Sequence, residues 1–168
     1  MRRALDALYA LSGGLAAVCM VGVLLCVTTS IVTRQFNVYV AGMDAYAGYF
    51  MAAAGFLALA ATFRQGEHIR VNLLLDALPR RDRMRLDVFA LAVGCLLAGA
   101  LAWFSLKLVH DSRLYNDVST GNDATPLWIP QTGMAAGAVL FLVALVDETI
   151  QRLRGVEPVR KQEEPLHE

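Results

Sequence analysis

Four long apolar runs alternate with polar connections along the chain, over residues 7–33, 44–63, 86–108 and 129–150. An α-helix rises about 1.5 Å per residue, so about 20 apolar residues cross a hydrocarbon core of about 30 Å. The pattern therefore predicts four transmembrane helices. No charge interrupts the first run from Ala7 to Thr33, nor the third from Val88 to Leu106. The first run follows Met1-Arg2-Arg3 but exceeds the roughly 7–15 residues of a secretory h-region. No convincing small-x-small cleavage site follows it, and a retained membrane helix is expected there.

The longest polar interruption lies between the second and third runs, from Arg64 to Pro79. Wound as a helix, it puts Val71, Leu74, Leu75 and Leu78 on one side and His68, Asn72 and Asp76 on another. That spacing predicts an amphipathic helix lying in the membrane interface over residues 66–79. Residues 68–73 also alternate polar and apolar, which leaves a short extended piece open. Pro79 stops either one. The second long connection, residues 110–126, is polar and acidic, with Asp111, Asp117 and Asp123 against Arg113. It reads equally as a solvated loop or as a surface complementary to cations on a soluble partner.

Small residues recur on the apolar runs. Gly13 and Ala17, Gly94 and Ala98, and Gly133 and Gly137 each stand four apart, and the second run is rich in alanine and glycine. Lipid supplies no hydrophobic drive for helices to associate, so close backbone packing has to supply it. The second helix is therefore expected to be the most contacted. Near the end of the fourth run, Glu148 and Arg152 have the spacing of a helical ion pair. Asp44 opens the second run, where a first-turn carboxylate is favoured by the helix dipole.

Composition agrees with a membrane chain. Of 168 residues, 57% are hydrophobic and 18% charged, below the roughly 25% charged of a soluble domain. The formal net charge is zero, which implies no nucleic-acid surface. The distribution of charge sets the topology. Arg2, Arg3, Arg64, Arg70, Arg80, Arg81, Arg83, Arg85, Arg152, Arg154, Arg160 and Lys161 are twelve of the 15 Lys and Arg, and fall on one side of a four-span arrangement. Arg34, Lys107 and Arg113 fall on the other. The positive-inside rule makes the first side cytoplasmic, with both termini there. The expected organisation is one all-α, four-helix integral membrane domain over residues 1–154, followed by a flexible cytoplasmic tail over 155–168.

Catalytic signals are missing. The sequence holds no nucleophile elbow, phosphate loop or His/Glu pair at metal spacing. The three cysteines, Cys19, Cys26 and Cys95, lie in apolar runs and read as packing residues, with no disulfide, metal or other cofactor expected. His68, His110 and His167 all lie outside the spans, so paired haem ligands are not available. His68 reads either as an interfacial histidine bonded to a neighbouring loop or as a contact to a partner subunit or lipid head group. No carboxylate sits at mid-membrane, where a proton-coupled exporter would need one. The chain reads as part of something larger; a free-standing small exporter or channel is the alternative.

The run Phe63-Arg64-Gln65-Gly66-Glu67-His68-Ile69-Arg70-Val71 follows an alanine- and glycine-rich span opened by an acidic residue, with a proline some eight residues on. Thr125-Pro126-Leu127-Trp128-Ile129-Pro130 opens the fourth span. With these motifs the chain resembles, from about Ala7 to Arg154, the small membrane subunit of tripartite ATP-independent periplasmic (TRAP) transporters. The Gly-Glu-His-Ile-Arg-Val run between spans two and three is the most specific part. The family often has glutamate where this chain has Asp44, so the charge is kept with a shorter reach.

The resemblance implies a non-catalytic scaffold in the bacterial inner membrane, beside a large membrane subunit that carries the transport site. It also implies a periplasmic substrate-binding protein as a partner, whose docking this subunit aids, and uptake of an organic acid driven by a sodium-ion gradient. Asp44, Arg64, Glu67, His68, Arg70, Pro126 and Trp128 are the candidate contacts to partner subunits or membrane lipids.

Overall fold

A computed structural model describes residues 2–38, 40–65, 80–121 and 123–153. These form four α-helices: α1 (Arg2–Gln35), α2 (Met43–Gln65), α3 (Arg80–Leu114) and α4 (Trp128–Leu153). All four are long and apolar enough to cross a membrane. Among the described residues the one β-type pairing is an isolated antiparallel bridge between Val118 and Pro126. The expected interfacial segment, 66–79, and the tail, 155–168, lie outside the described residues.

The helices overrun the apolar runs. α3 starts at Arg80 and continues through His110 to Leu114, where spacing placed a span of 86–108. Apolarity marks where lipid begins and ends, but the backbone hydrogen bonds of a helix continue wherever local propensity allows, and Arg, Met, Leu and Lys are good helix formers. The stop signals are elsewhere. Asn37 closes α1 in the left-handed region at φ 53°, and Asn116 does the same beyond α3 at φ 52°. After α1, the Asn37 amide donates to Arg34 O at 3.1 Å and the Val38 amide to Thr33 O at 3.0 Å. This is a Schellman ending, with asparagine in the place usually held by glycine. After α3, the Asp117 amide donates back to Ser112 O at 2.9 Å. α4 tolerates Pro130 because first-turn amides have no intrahelical acceptor to lose.

α2 packs against both α1 and α4, and α3 packs against α4. α2 and α4 are thus the inner pair, and α4 has more of its apolar window buried, 28% against 17%. Small residues make these contacts. At the α2–α4 crossing, a Cβ added to Gly137 would fall on the Phe56 carbonyl and 2.7 Å from Leu57 N; one on Gly133 would lie 3.1 Å from Ala53 Cβ. The glycine pair is therefore in use. Gly13 faces Ala61 across the α1–α2 contact, but its partner in spacing, Ala17, is exposed and Ser12 and Ala16 are buried instead. On α3, Ala98 and Ala102 are buried and Gly94 meets Leu145.

Tyr9 from the start of α1, Ala60 from the end of α2 and Ala144 from the far half of α4 form one buried cluster, with Leu5, Phe63 and Leu140 against it. Asp87 near the start of α3 reaches Arg152 at the end of α4. The first turns of α1 and α3 and the last turns of α2 and α4 consequently share one end of the bundle. The outward faces stay apolar and bare: only 6% of the α1 window is buried.

Candidate functional site

Polar side chains gather at the two ends of the bundle. At the end formed by the start of α2 and the 115–127 connection, that connection doubles back on itself. Ser119 N donates to Thr125 O at 2.8 Å and Leu127 N to Asp117 O at 2.9 Å. These bonds form a narrow hairpin whose tip is tied by Asp123. The Ser119 hydroxyl donates to Asp123 Oδ1 at 2.7 Å and the Tyr49 hydroxyl donates to Asp123 Oδ2 at 3.0 Å. The Thr125 hydroxyl donates to the Tyr46 phenol oxygen at 3.2 Å, and the Tyr46 and Tyr49 rings meet edge to face.

Hydrogen bonds favour the ionised carboxylate. Ser119 chiefly, with Thr125 and Tyr49, holds Asp123 at about 2, below its ordinary 3.8 and against the opposing effect of desolvation. Gly42 allows the close approach. Its φ is +83°, and a Cβ there would lie 2.8 Å from Asp123 Cβ, so an L side chain meets both backbone strain and a clash.

The sequence candidates divide over the two ends. Asp44 stands in the first turn of α2. It pairs with Arg34 at 3.5 Å and accepts the Ser30 hydroxyl at 3.3 Å, with 67% of the Arg34 side chain and 77% of the Asp44 side chain exposed. Pro126 pairs with Val118 in the hairpin. Trp128 begins α4, and the Arg113 guanidinium lies 5.7 Å from its ring centroid, within cation–π range. The hairpin brings Asp44, Pro126 and Trp128 to one end of the bundle. Arg64 belongs to the last turn of α2 at the other end. Glu67, His68 and Arg70 lie outside the described residues.

That other end carries an ion pair network the spacing showed only in part. Arg152 Nε donates to Glu148 at 3.2 Å, the expected helical pair, and Arg152 Nη1 donates to Asp87 at 2.7 Å. All three side chains are largely shielded, so the pair ties α3 to α4. Tyr49, Ser119 and Asp87 were not singled out from the sequence, and Asp123 was named only as one of three acidic residues in its connection. Ser119 and Asp123 four apart around Gly121 were a legible loop signal; nothing local pointed to Tyr49 or Asp87.

Among the described residues no three His, Cys, Asp or Glu side chains come close enough to share a metal ion. Cys95 Sγ lies 3.4 Å from the Thr149 hydroxyl, inside the α3–α4 contact. Among the described residues the arrangement is a hydrogen-bonded hairpin at one end, an ion-paired helix junction at the other, and long apolar faces between.

Comparison with curated proteins gives no match to this chain. Residues 23–155 match the family model described as tripartite ATP-independent periplasmic transporters, DctQ component. That match covers well over half of the sequence, and the chain belongs to this family of membrane components of TRAP transporters.

Proposed function

We propose that the chain is the non-catalytic scaffold subunit of a TRAP transporter that takes up an organic acid on a sodium-ion gradient. It sits in the bacterial inner membrane with both termini in the cytoplasm. It packs beside the large membrane subunit, which carries the transport site, and widens the anchored part against which that subunit moves. The hairpin end faces the periplasm and helps to seat the substrate-binding protein.

One observation carries the reading: the family match runs from the second half of α1 to the end of α4, and the four helices, each long and apolar enough to cross a membrane, hold no charged side chain at their apolar centres. A transport site for an organic acid needs polar or ionic groups at membrane depth, and here those are left to a partner. The bare outward faces suit a subunit embedded in a larger assembly. The cation asymmetry supports the orientation.

Deletion of this subunit, with the large subunit and the binding protein retained, tests the role. Uptake of the organic acid is expected to be lost, and the chain is expected to co-purify with a much larger multi-span protein. Full-rate uptake without the subunit overturns the scaffold role. Solute flux through vesicles holding only this chain overturns the division of labour.

A further inference from the structure

α3 carries an outward stripe that none of the other described helices covers. Trp103, Lys107, His110 and Leu114 follow one another at i, i+4, i+7 and i+11, the spacing of a single helix face. Trp103 is 69% exposed and Leu114 63%, and Lys107 and His110 are exposed as well. The same face continues inward through Leu96 and Phe89, both exposed.

The stripe changes character at a defined depth. Val88 to Leu106 is free of charge, and at about 1.5 Å per residue that run fills a core of about 30 Å. Lys107 is the next residue. It therefore enters at head-group level, one turn beyond Trp103, whose amphipathic ring suits the same boundary.

Its charge is not spent inside the protein. Among the described residues no carboxylate comes within ion-pair distance of Lys107. Asp111, one turn on, is half-buried and does not reach it. The remaining cation of this part of α3, Arg113, lies over Trp128.

We propose that this stripe holds an anionic phospholipid, its acyl chains along Leu96 and Trp103 and its phosphate at Lys107 and His110. The ammonium supplies a compact charge with three donors, and the imidazole adds an N–H one turn away. The four-carbon stem lets the ammonium reach the phosphate plane while its methylenes stay on apolar surface. The inference rests on the depth and exposure of the stripe. It stands or falls separately from the transport role.

The full chain reconstituted in vesicles provides the test. With Trp128→Phe, Trp103 is the sole tryptophan, because the chain has only two. Its quenching by dibrominated phosphatidylglycerol is compared with quenching by dibrominated phosphatidylcholine. The relative association is expected to favour the anionic lipid about fivefold, the factor for one cation beside an anionic surface. Lys107→Gln should abolish the preference and Lys107→Arg should keep it. Equal association of both lipids, or a preference that survives Lys107→Gln, overturns the proposal. In the assembled transporter, native mass spectrometry should find an anionic phospholipid that Lys107→Gln releases. Its absence there, with a protein surface over the stripe, also overturns it.

Discussion

The Tyr49 hydroxyl donates to Asp123 Oδ2 at 3.0 Å across 74 residues of chain. The same carboxylate takes the Ser119 hydroxyl at 2.7 Å, so one side chain joins the hairpin to itself and to α2. Tyr49→Phe removes the Asp123 tie to α2 and leaves the Ser119–Asp123 and Thr125–Tyr46 bonds in place. Amides of residues 118–125 should then exchange faster with solvent, while those in the middle of α4 keep their protection. Hydrogen exchange by mass spectrometry reads both, and unchanged loop exchange refutes the tie.

The acid limit of the hairpin follows from the same carboxylate. Asp123 is held at about 2 in the folded chain against an ordinary 3.8. A depressed folded value means that the contribution is fully present above the ordinary value and is lost as pH falls through the folded one. Loop protection should therefore be flat over roughly pH 5–8 and fail only in strong acid, near pH 2. Asp123→Asn should remove that acid step. A protection midpoint near neutrality would contradict the assignment.

At the α2–α4 crossing, Gly137→Ala drives a methyl into the Phe56 backbone. Backbone cannot rotate away as a side chain can, and overpacking costs about 1–3 kcal/mol. The purified chain should melt at lower temperature in detergent. Gly55→Ala is the control: nothing lies within 4 Å of its added Cβ, and alanine is the better helix former. Equal melting of the two variants would place the crossing elsewhere.

Arg152 holds two carboxylates, Asp87 at 2.7 Å and Glu148 at 3.2 Å. Arg152→Gln takes the guanidinium away from both shielded carboxylates, whereas Asp87→Asn leaves the Arg152–Glu148 pair intact. The first should cost about 1–3 kcal/mol and the second less. The exposed Arg34–Asp44 pair behaves differently. Asp44→Asn should change stability by under about 1 kcal/mol, as for most surface pairs. Denaturation of the three variants in one detergent ranks them, and an Asp44→Asn loss matching that of Arg152→Gln would overturn this order.

Arg70 belongs to the expected interfacial segment. If that segment anchors the subunit to head groups, Arg70→Ala should lower complex yield or uptake by about fivefold, the factor for one cation near an anionic surface. Unchanged yield and uptake would leave Arg70 a solvated cation.

The four long apolar helices were legible in the sequence, because crossing a membrane demands a long uncharged run and leaves little room for another reading. The Glu148–Arg152 pair was legible because its spacing is a property of one helix. Helix ends were less so. Asn37 and Asn116 stop α1 and α3 by adopting a left-handed conformation, and composition alone does not say which asparagine will do that.

Of the polar and aromatic groups at the hairpin end, Asp44, Pro126 and Trp128 were candidates from the sequence, from a charge at a helix mouth and from a motif. Their neighbours were not. Tyr49 meets Asp123 and Asp87 meets Arg152 only because α2 and α3 both pack on α4. Likewise a four-residue glycine spacing occurs on several of these helices, but only the tertiary arrangement shows that Gly137 lies against the α2 backbone while Ala17 faces outward. The sequence by itself determined the spans, their order and the asymmetry of cations, since each depends on the transfer of single residues between water and lipid. The tertiary structure decided which faces meet, because in lipid every apolar face is equally at ease and only close fit between particular helices selects a partner.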